Sequence, residues 1–467
     1  MSDGAIAGDG AMLSPAARLR RLAAGSAGRS ALGAMLTLAV KLGGTGLAFL
    51  MFSLAAHGMG ADDFGRLAVW FNAVSLLAVV AVCGQDTLIM RSWGEYVARG
   101  RADMGRGAYA DGWMLSLGAG VLFGVAVALA GPAIDADASF AVGAAAGVFL
   151  LAQTALHYSS HSSRAIAGVA VAEPNRDLVW RLAVAAAMAA SVLLGGTASI
   201  STFFLVGAAG MAAGILFQSI AVLRRFRAAP AAADVGERPL WRSRAKGMWL
   251  SATIEASSQY AEVLVIGALA SPAAAGGYFV ASRIANAFAT ISTGLHSYTA
   301  GKIATLHYGG DREELDRMLH SVMTVAFLIV TGLCLAVAVF GPFVLGLFGD
   351  EYRDEYPTLL LLAFGTALGA LGGPTAAILL TTGQEALYPR VITIGFAARL
   401  ALLCLLVPVW GSFGAALAWT VTQVPLVVVL VVLCRRRTGI DPSALAAVRS
   451  HFVRRRAAPA PAPSPSP

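Results

Sequence analysis

Residues 321–345 read SVMTVAFLIVTGLCLAVAVFGPFVL, and none of these side chains is charged. A helix of about 20 residues crosses the hydrocarbon core of a bilayer, so this stretch is long enough to span a membrane. Inside lipid, the backbone N–H and C=O groups must be satisfied within the segment itself, which favours a helix over any open strand. The stretch therefore predicts a membrane-spanning α-helix.

Apolar stretches of similar length recur on both sides of this one. The chain has 467 residues, of which 57% are hydrophobic and 13% are charged. A soluble domain carries about 25% charged residues, so the composition excludes an ordinary globular protein. We predict an all-α polytopic membrane protein with about twelve spanning helices. They lie near 31–57, 66–90, 108–130, 138–158, 179–196, 200–222, 248–270, 276–300, 321–345, 358–380, 391–410 and 412–434.

The cations fall almost entirely in alternate loops. About 28 Lys and Arg residues lie on the side that holds both predicted termini, and two, Arg66 and Arg353, lie in loops on the other side. Cytoplasmic loops are the ones enriched in Lys and Arg, so both termini are predicted to be cytoplasmic. The net charge of +8 is thereby explained by topology and anionic lipid, and nucleic acid is not an expected partner.

The chain partly repeats itself at an offset of about 211 residues. Gly65 and Gly276 occupy the same place at the start of an even-numbered span, and Arg91 corresponds to Lys302. A duplicated six-helix unit keeps its orientation, so two six-helix lobes should be related by a pseudo-two-fold axis along the membrane normal. The predicted organisation is a tail (1–30), a first lobe (31–223), a basic cytoplasmic linker (224–247), a second lobe (248–434) and a basic, then Pro/Ala-rich tail (435–467).

Three phrases carry a family resemblance: GMGADDFGRLAVW (58–70), ASPAAAGGYFVASRIANAF (270–288) and FGPFVLGLFGDEYRDEYPTLLLLAFGTALGALGGPTAAILLTTGQ (340–384). With the span pattern over about 30–435, the chain resembles the O-antigen and exopolysaccharide flippases. These belong to the multidrug/oligosaccharidyl-lipid/polysaccharide exporter (MOP) superfamily. The resemblance implies transfer of an undecaprenyl-diphosphate-linked oligosaccharide from the cytoplasmic to the periplasmic leaflet of the bacterial inner membrane, for lipopolysaccharide or exopolysaccharide synthesis. It also implies alternating access around a cationic cavity.

Four polar residues share one face of the seventh span. Glu255, Ser258, Gln259 and Glu262 follow at i, i+3, i+4 and i+7. A polar stripe of this kind lines water or pairs across helices, because charges inside a membrane are costly. One interpretation is an ion-coupling site for H⁺ or Na⁺ formed by Glu255, Gln259 and Glu262. The other is a structural ion pair with Arg283 or Lys41.

Cations within the spans are the candidate substrate ligands. Arg283 shares a face with the polar Asn286, and Lys41 lies half way through the first span. Guanidinium groups bind phosphate oxygens in bidentate fashion, so we predict that Lys41, Arg283 and Arg399 bind the diphosphate. The alternative is that they neutralise the glutamates. Arg181, near the cytoplasmic edge, is expected to extend into the lipid headgroups.

Other function classes are less well supported. His157, His161 and His296 lack ligand spacing, and we expect no metal, no cofactor and no enzymatic activity. A cation-coupled drug extruder would favour an acidic cavity. A lipid II flippase usually has two further helices, and a polymerase or ligase needs a sizeable periplasmic loop. A scaffold for a polysaccharide polymerase complex remains an alternative.

The topology is tested by cysteine labelling in intact cells. A cysteine at Asp354 should react with a membrane-impermeant thiol reagent added outside, because the positive-inside rule places this loop in the periplasm. A cysteine at Arg225 should react only after the cells are opened. Labelling of Arg225→Cys from outside would invert the topology.

Overall fold

The computed structural model describes residues 26–135, 139–286, 303, 306, 309, 311–382, 384 and 387–443. Regular structure in these ranges is helical throughout, and no strand occurs in them. The first half contains α1 (Ser26–Met59), α2 (Ala61–Ala81), α3 (Gln85–Ala98), α4 (Ala102–Ile134), α5 (Phe140–Ile166), α6 (Val169–Asp177), α7 (Val179–Leu193) and α8 (Ile200–Ala228). The second half contains α9 (Arg238–Leu269), α10 (described over 272–286), α11 (Arg312–Gly346), a 3-10 helix (Asp350–Glu355), α12 (Tyr356–Leu371), α13 (Thr375–Thr381) and α14 (Leu387–Thr438).

The all-α polytopic membrane fold is confirmed. Eight helices in the described ranges are long and apolar enough to cross a membrane. Three glycines modify the expected spans: Gly84 (φ 70°) separates α2 from α3, Gly373 (φ 75°) separates α12 from α13, and Gly411 (φ 54°) divides α14 into two helices. Glycine adopts positive φ without a steric penalty. Gly84 and Gly373 therefore interrupt stretches that hydropathy predicts as single spans, 66–90 and 358–380. Gly411 lies between two stretches that were predicted as separate spans, 391–410 and 412–434.

Helices in the first lobe approach closely through small residues. A Cβ atom added to Gly147 of α5 would lie 2.3 Å from the carbonyl oxygen of Gly124 in α4. Apolar side chains gain little by meeting in lipid, so close packing of backbones is what holds such helices together. The interior of this lobe is aromatic, with Phe149 in ring contact with Phe71, Trp180 and Phe204.

The segment after α8 is folded against the first lobe. Arg106 of α4 donates hydrogen bonds to the carbonyl oxygens of Phe226 and Ala231, at 2.6 and 2.7 Å. Trp241, at the start of α9, is fully buried and donates to the hydroxyl of Tyr96 at 2.7 Å. Arg238 lies 2.7 Å from the buried carboxylate of Asp111. The first turns of α9 are therefore attached to the first lobe, and we call this side of the bundle the linker end.

At the opposite end, which we call the gate end, aromatic rings close the interface between the two halves. Phe52 meets Phe279 with a centroid distance of 4.8 Å, and Phe64 contacts both Phe279 and Tyr352. The hydroxyl of Ser53 also donates to the carbonyl oxygen of Leu347. The gate end is therefore sealed by apolar contacts between the first and second halves.

Two glycines form the closest approach at the gate end. A Cβ atom on Gly276 would lie 3.0 Å from the Cα atom of Gly65, and a Cβ atom on Gly65 would lie 2.0 Å from the carbonyl oxygen of Pro272. Gly65 and Gly276 are equivalent positions of the sequence repeat. Equivalent residues meet each other where a two-fold axis passes between two copies. The contact therefore agrees with two lobes related by a pseudo-two-fold axis at the gate end.

Gly65→Ala should open the gate end. The added methyl group meets backbone atoms, and overpacking of this kind costs about 1–3 kcal/mol in the closed arrangement only. Labelling of Ser282→Cys in the central cavity from outside the cell should therefore accelerate by about ten-fold or more. The background would carry no other cysteine.

The matched control is Gly118→Ala, because a Cβ atom on Gly118 meets nothing within 4 Å. Equal labelling rates in the Gly65→Ala and Gly118→Ala proteins would show that this contact does not hold the gate end closed.

Candidate functional site

A cavity of about 500 Å³ lies in the second half of the chain, next to the interface with the first. Its wall is built by α9, α10, α12 and α14, with Asn72 of α2 on the other side. The residues predicted from sequence that line it are Glu255, Ser258, Gln259, Glu262, Arg283 and Asn286. The polar face of α9 therefore does line a cavity. Among the described residues of the wall, Lys41 and Arg399 are not included.

The polar face of α9 runs from an open end to a closed end. Ser251, Glu255 and Gln259 are exposed, whereas Glu262 is 4% exposed. Since α9 begins at the linker end, the cavity is open toward that end and closes toward the aromatic gate. With the linker in the cytoplasm, as the cation distribution predicts, this is an inward-open arrangement.

Glu262 is held in a buried ion pair with Arg399 of α14. The Nε atom of Arg399 lies 3.2 Å from Oε1 of Glu262, and the two side chains are 7% and 6% exposed. Arg399 also donates to the carbonyl oxygen of Ser258 at 3.0 Å and to its hydroxyl, and the guanidinium lies over the ring of Trp419. The two opposite charges compensate each other within one lobe, although Oε1 of Glu262 and Nε of Arg399 are not aligned for a hydrogen bond. The partner of Glu262 is thus Arg399, rather than Arg283 or Lys41 as the structural interpretation supposed.

Arg283 lies among aromatic rings at the boundary between the cavity and the gate. Its guanidinium carbon is 4.6 Å from the ring centroid of Phe279, 5.6 Å from that of Phe52 and 5.9 Å from that of Phe71. Cation–π contacts of this kind stabilise a guanidinium without neutralising its charge. Arg283 therefore presents a positive charge to the cavity at mid-depth.

Lys41 is paired within the first lobe. Its Nζ atom lies 3.7 Å from Glu173 of α6, a carboxylate that is 3% exposed and that also binds Arg164. The side chain of Lys41 is still about half exposed. The described partner of Lys41 is thus Glu173, and Lys41 does not line the cavity.

Arg181 of the first lobe is near enough to Arg283 for their charges to interact. Arg181 of α7 hydrogen-bonds the carbonyl oxygens of Asp177 (2.7 Å) and Gly44 (3.4 Å), and its charge interacts with that of Arg283. The expectation that Arg181 extends into headgroups is therefore wrong. Arg176, Arg181 and Arg283 all interact electrostatically with the side chain of Tyr260, which lines the cavity. We call Arg176, Arg181 and Arg283 the arginine cluster.

The sequence offered only a weak indication of this cluster. Arg176 lies on α6, a helix of nine residues that contains Pro174 and falls between predicted spans. Hydropathy predicts how deep a residue lies in the membrane, but it does not predict toward which side of the helix its side chain points. It therefore could not distinguish an Arg181 that extends into the headgroups from one that faces the second lobe. The informative feature of the sequence is that Arg176 and Arg181 lie five positions apart, with Asp177 between them.

Metal-ligand geometry is not found in the described ranges, where no group of three or more His, Cys, Asp or Glu side chains could hold an ion. His161 uses its Nδ1 atom in a 2.8 Å contact with the carbonyl oxygen of His157. His296 lies outside the described residues.

No protein family model matches the sequence, and no curated protein matches it. Solved structures do. The inward-facing conformation of a multidrug resistance MATE family transporter of the MOP superfamily superposes with a TM-score of 0.69 at 14% identity, covering 87% of this chain and 96% of that one. The chain has the MOP transporter fold.

Two other MOP-fold structures widen the comparison. The lipid II flippase MurJ, in its inward closed conformation, gives a TM-score of 0.64 at 12% identity, over 91% of this chain and 94% of that one. A MOP superfamily transporter from Pyrococcus furiosus, described as having a binding pocket of reverse polarity, gives 0.55 at 15% identity, over 87% and 94%. These neighbours are transporters or flippases, and the MOP fold agrees with a multi-pass membrane protein.

Glu262→Gln should strongly destabilise the protein. Removing one partner of a buried ion pair leaves the other charge uncompensated and costs about 3–5 kcal/mol. Thermal unfolding of the purified protein should therefore occur at a clearly lower Tm. The double variant Glu262→Gln with Arg399→Met should recover much of the loss, since neither charge is then left alone.

Glu255→Gln is the matched control, because Glu255 is on the same face of α9 but exposed in the cavity. Its Tm should equal that of wild type. If Glu262→Gln were as stable as Glu255→Gln, the ion pair would not fix α9 to α14.

Proposed function

We propose that this MOP-fold protein is a flippase that moves an undecaprenyl-diphosphate-linked oligosaccharide from the cytoplasmic to the periplasmic leaflet of the bacterial inner membrane. The observation that carries the proposal is Arg283, whose side chain lines the cavity and whose guanidinium is held among the rings of Phe279, Phe52 and Phe71. Guanidinium groups form charge-assisted, bidentate bonds with phosphate oxygens. The oligosaccharide would occupy the polar part of the cavity, beside Asn72 and Gln259.

The charge balance of the cavity distinguishes an anionic cargo from a cationic drug. Glu262 is compensated by Arg399, so its carboxylate offers little attraction to a cation. Glu255 remains in the cavity, where Arg283 supplies a positive charge, while Arg181 is paired with Asp177 at 3.4 Å. A cationic drug would be repelled at the cluster, whereas a diphosphate would be attracted. This favours the flippase over the drug extruder of the same fold.

The cluster also suggests how loading could change the lobe arrangement. Arg181 belongs to the first lobe and Arg283 to the second, and their like charges repel when the site is empty. A diphosphate between them would replace repulsion by two attractions. A ligand shifts a two-state protein only by its differential affinity for the two states. The loaded protein would therefore favour the state in which the lobes approach at the linker end.

Lys41 and Arg399 have secondary parts in this proposal. Lys41 would contribute to binding once released from Glu173, with which it forms a long ion pair of 3.7 Å. Arg399 would act through Glu262, by fixing the wall of the cavity. Ion coupling is assigned to Glu255 with Gln259, because these two side chains are exposed in the cavity and can exchange H⁺ or bind Na⁺. Loss of gradient dependence in a stable Glu255→Gln protein is the corresponding measurement.

Binding of diphosphates to the purified protein tests the cargo. Arg283→Ala or Arg181→Ala should weaken undecaprenyl diphosphate binding by about ten- to a hundred-fold, since a charge-assisted bond contributes about 1.5–3 kcal/mol. Arg283→Lys should recover charge but not bidentate geometry, and should rescue only partly. Lys41→Ala should have the smaller effect because Lys41 is already paired.

Arg317→Ala is the control, an exposed cation of α11 that pairs with Glu313. The assignment is overturned if wild type prefers neither undecaprenyl diphosphate nor the monophosphate over undecaprenol, or if the Arg181 and Arg283 variants bind like Arg317→Ala. Leaflet-specific transfer is then measured in vesicles with the lipid-linked oligosaccharide, lipid II and a cationic drug. The cargo that is transferred distinguishes an oligosaccharide flippase from a lipid II flippase and from a drug extruder.

A further inference from the structure

Charged side chains in the wall of the central cavity are few. Among the described residues of the wall, the acids and bases that carry a formal charge are Glu255, Glu262 and Arg283. The charge of Glu262 is compensated by Arg399, which lies 3.2 Å away. The wall therefore presents one positive charge to a ligand, that of Arg283, and one negative charge, that of Glu255.

These two charges lie at different depths in the cavity. On α10, Arg283 follows Gly276, the glycine of the closest approach at the gate end, by seven positions. On α9, Glu255 precedes Gly267 by twelve positions, and a Cβ atom on Gly267 would lie 2.5 Å from Val69 of α2, about one turn from the same contact. Because a helix rises 1.5 Å per residue, Glu255 is about 13 Å nearer the linker end than Arg283.

The linker side of the cavity, around Glu255, is polar. Ser251, Glu255 and Gln259 follow at i, i+4 and i+8 on one face of α9, and all three are exposed. Tyr388 and Thr393, from the first turns of α14, line the same cavity. Hydroxyl, amide and carboxylate groups donate or accept hydrogen bonds, so this side can bind the hydroxyl groups of sugars. Glu255 adds a charge to an otherwise neutral set.

The cations nearest to Glu255 in sequence do not compensate its charge. The arginines at the start of α9 are paired with carboxylates of the first lobe: Arg238 and Arg242 with Asp111, and Arg244 with Glu95. Lys246 precedes Glu255 by nine positions, which places it on the opposite side of the helix. Arg390 of α14 is not among the described residues of the wall. Glu255 therefore confers a negative charge on the linker side of the cavity.

We propose that Glu255 makes the protein select a cargo whose sugars next to the diphosphate are neutral or carry an amino group, and discriminate against uronic acids. This rests on the proposed function. With the diphosphate at Arg283, the first sugars extend toward the linker end, where the cavity is open. A uronate there is repelled by the carboxylate of Glu255, whereas an ammonium group is attracted. Like charges that meet in a binding site are a means of rejecting the wrong ligand.

Selection by charge is distinct from ion coupling at the same residue. A coupling carboxylate releases its ion during the transport cycle, and it then bears the negative charge that selection requires. Coupling is measured as the dependence of transport on an ion gradient, whereas selection is measured as the ratio of two cargo affinities. The two roles of Glu255 can therefore be tested separately.

The experiment compares three cargoes that differ in one group. Each is an undecaprenyl diphosphate that carries N-acetylglucosamine followed by glucose, glucuronic acid or glucosamine. Binding to the full-length protein in nanodiscs is measured at neutral pH without Na⁺, and each affinity is divided by that of the glucose cargo for the same protein. Wild type should bind the glucuronic acid cargo about five-fold or more weakly than the glucose cargo, and the glucosamine cargo more tightly.

Substitutions at Glu255 should change these ratios in a fixed order. Glu255→Gln should bring both ratios close to one, because the charge is lost while the size is kept. Glu255→Lys should invert the order of the two charged cargoes. Glu313→Gln is the matched control, since it removes an exposed carboxylate of α11, and it should keep the wild-type ratios. Each ratio is taken within one protein, so a general loss of affinity cancels.

The outcomes separate this inference from the proposed function. The role of Glu255 is overturned if wild type binds the glucuronic acid cargo as tightly as the glucose cargo, or if Glu255→Gln keeps the discrimination. Binding of sugar-free undecaprenyl diphosphate that depends on Arg283 would still support the flippase in that case. If sugar-free undecaprenyl diphosphate does not bind, or binds independently of Arg283, the proposed function fails and the selection by Glu255 fails with it.

Discussion

The interior of this protein is governed by the cost of charge in a medium that cannot solvate it. Buried carboxylates in the described ranges lie beside cations: Glu262 beside Arg399, Glu173 beside Lys41 and Arg164, and Asp111 beside Arg238. These pairs fix helices to one another and leave little net charge behind. Arg283 is different, because its side chain lines the cavity and its guanidinium lies 4.6 Å from the ring centroid of Phe279. A guanidinium held by aromatic rings keeps its charge, which is a reason to expect an anionic ligand.

The same pairs determine which parts of the molecule move together. The first turns of α9 are attached to the first lobe by Trp241 and by Trp249, whose indole donates to the carbonyl oxygen of Val80 at 2.8 Å. Farther along, α9 is attached to α14 through Glu262 and Arg399. One continuous helix is therefore held by both lobes.

The spans could be predicted because lipid makes hydropathy decisive, and the polar face of α9 could be predicted because helical spacing puts Glu255, Ser258 and Glu262 in a line. Pairing could not. Arg399 is far from Glu262 in sequence, and nothing in either span specifies which of the four cations within the spans a glutamate will meet. Helix breaks at Gly84 and Gly373 were missed for another reason, since they depend on positive φ angles that an apolar run does not reveal.

The sequence repeat explains why the cavity is asymmetric. At the offset that relates Gly65 to Gly276, Arg283 corresponds to Asn72, and both side chains line the central cavity from opposite lobes. Glu262 corresponds to Met51, which is fully buried, and Ser258 corresponds to Leu47, which packs against the core of the first lobe. The same helix face is thus apolar and packed in one lobe but polar and open in the other. A symmetric scaffold with such unequal faces places the ligand space in the second lobe, while the first lobe supplies Arg176 and Arg181 from helices outside that face. Under the proposed function, a cargo bound there would touch the lobes unequally, and this inequality would let one ligand bias their relative position.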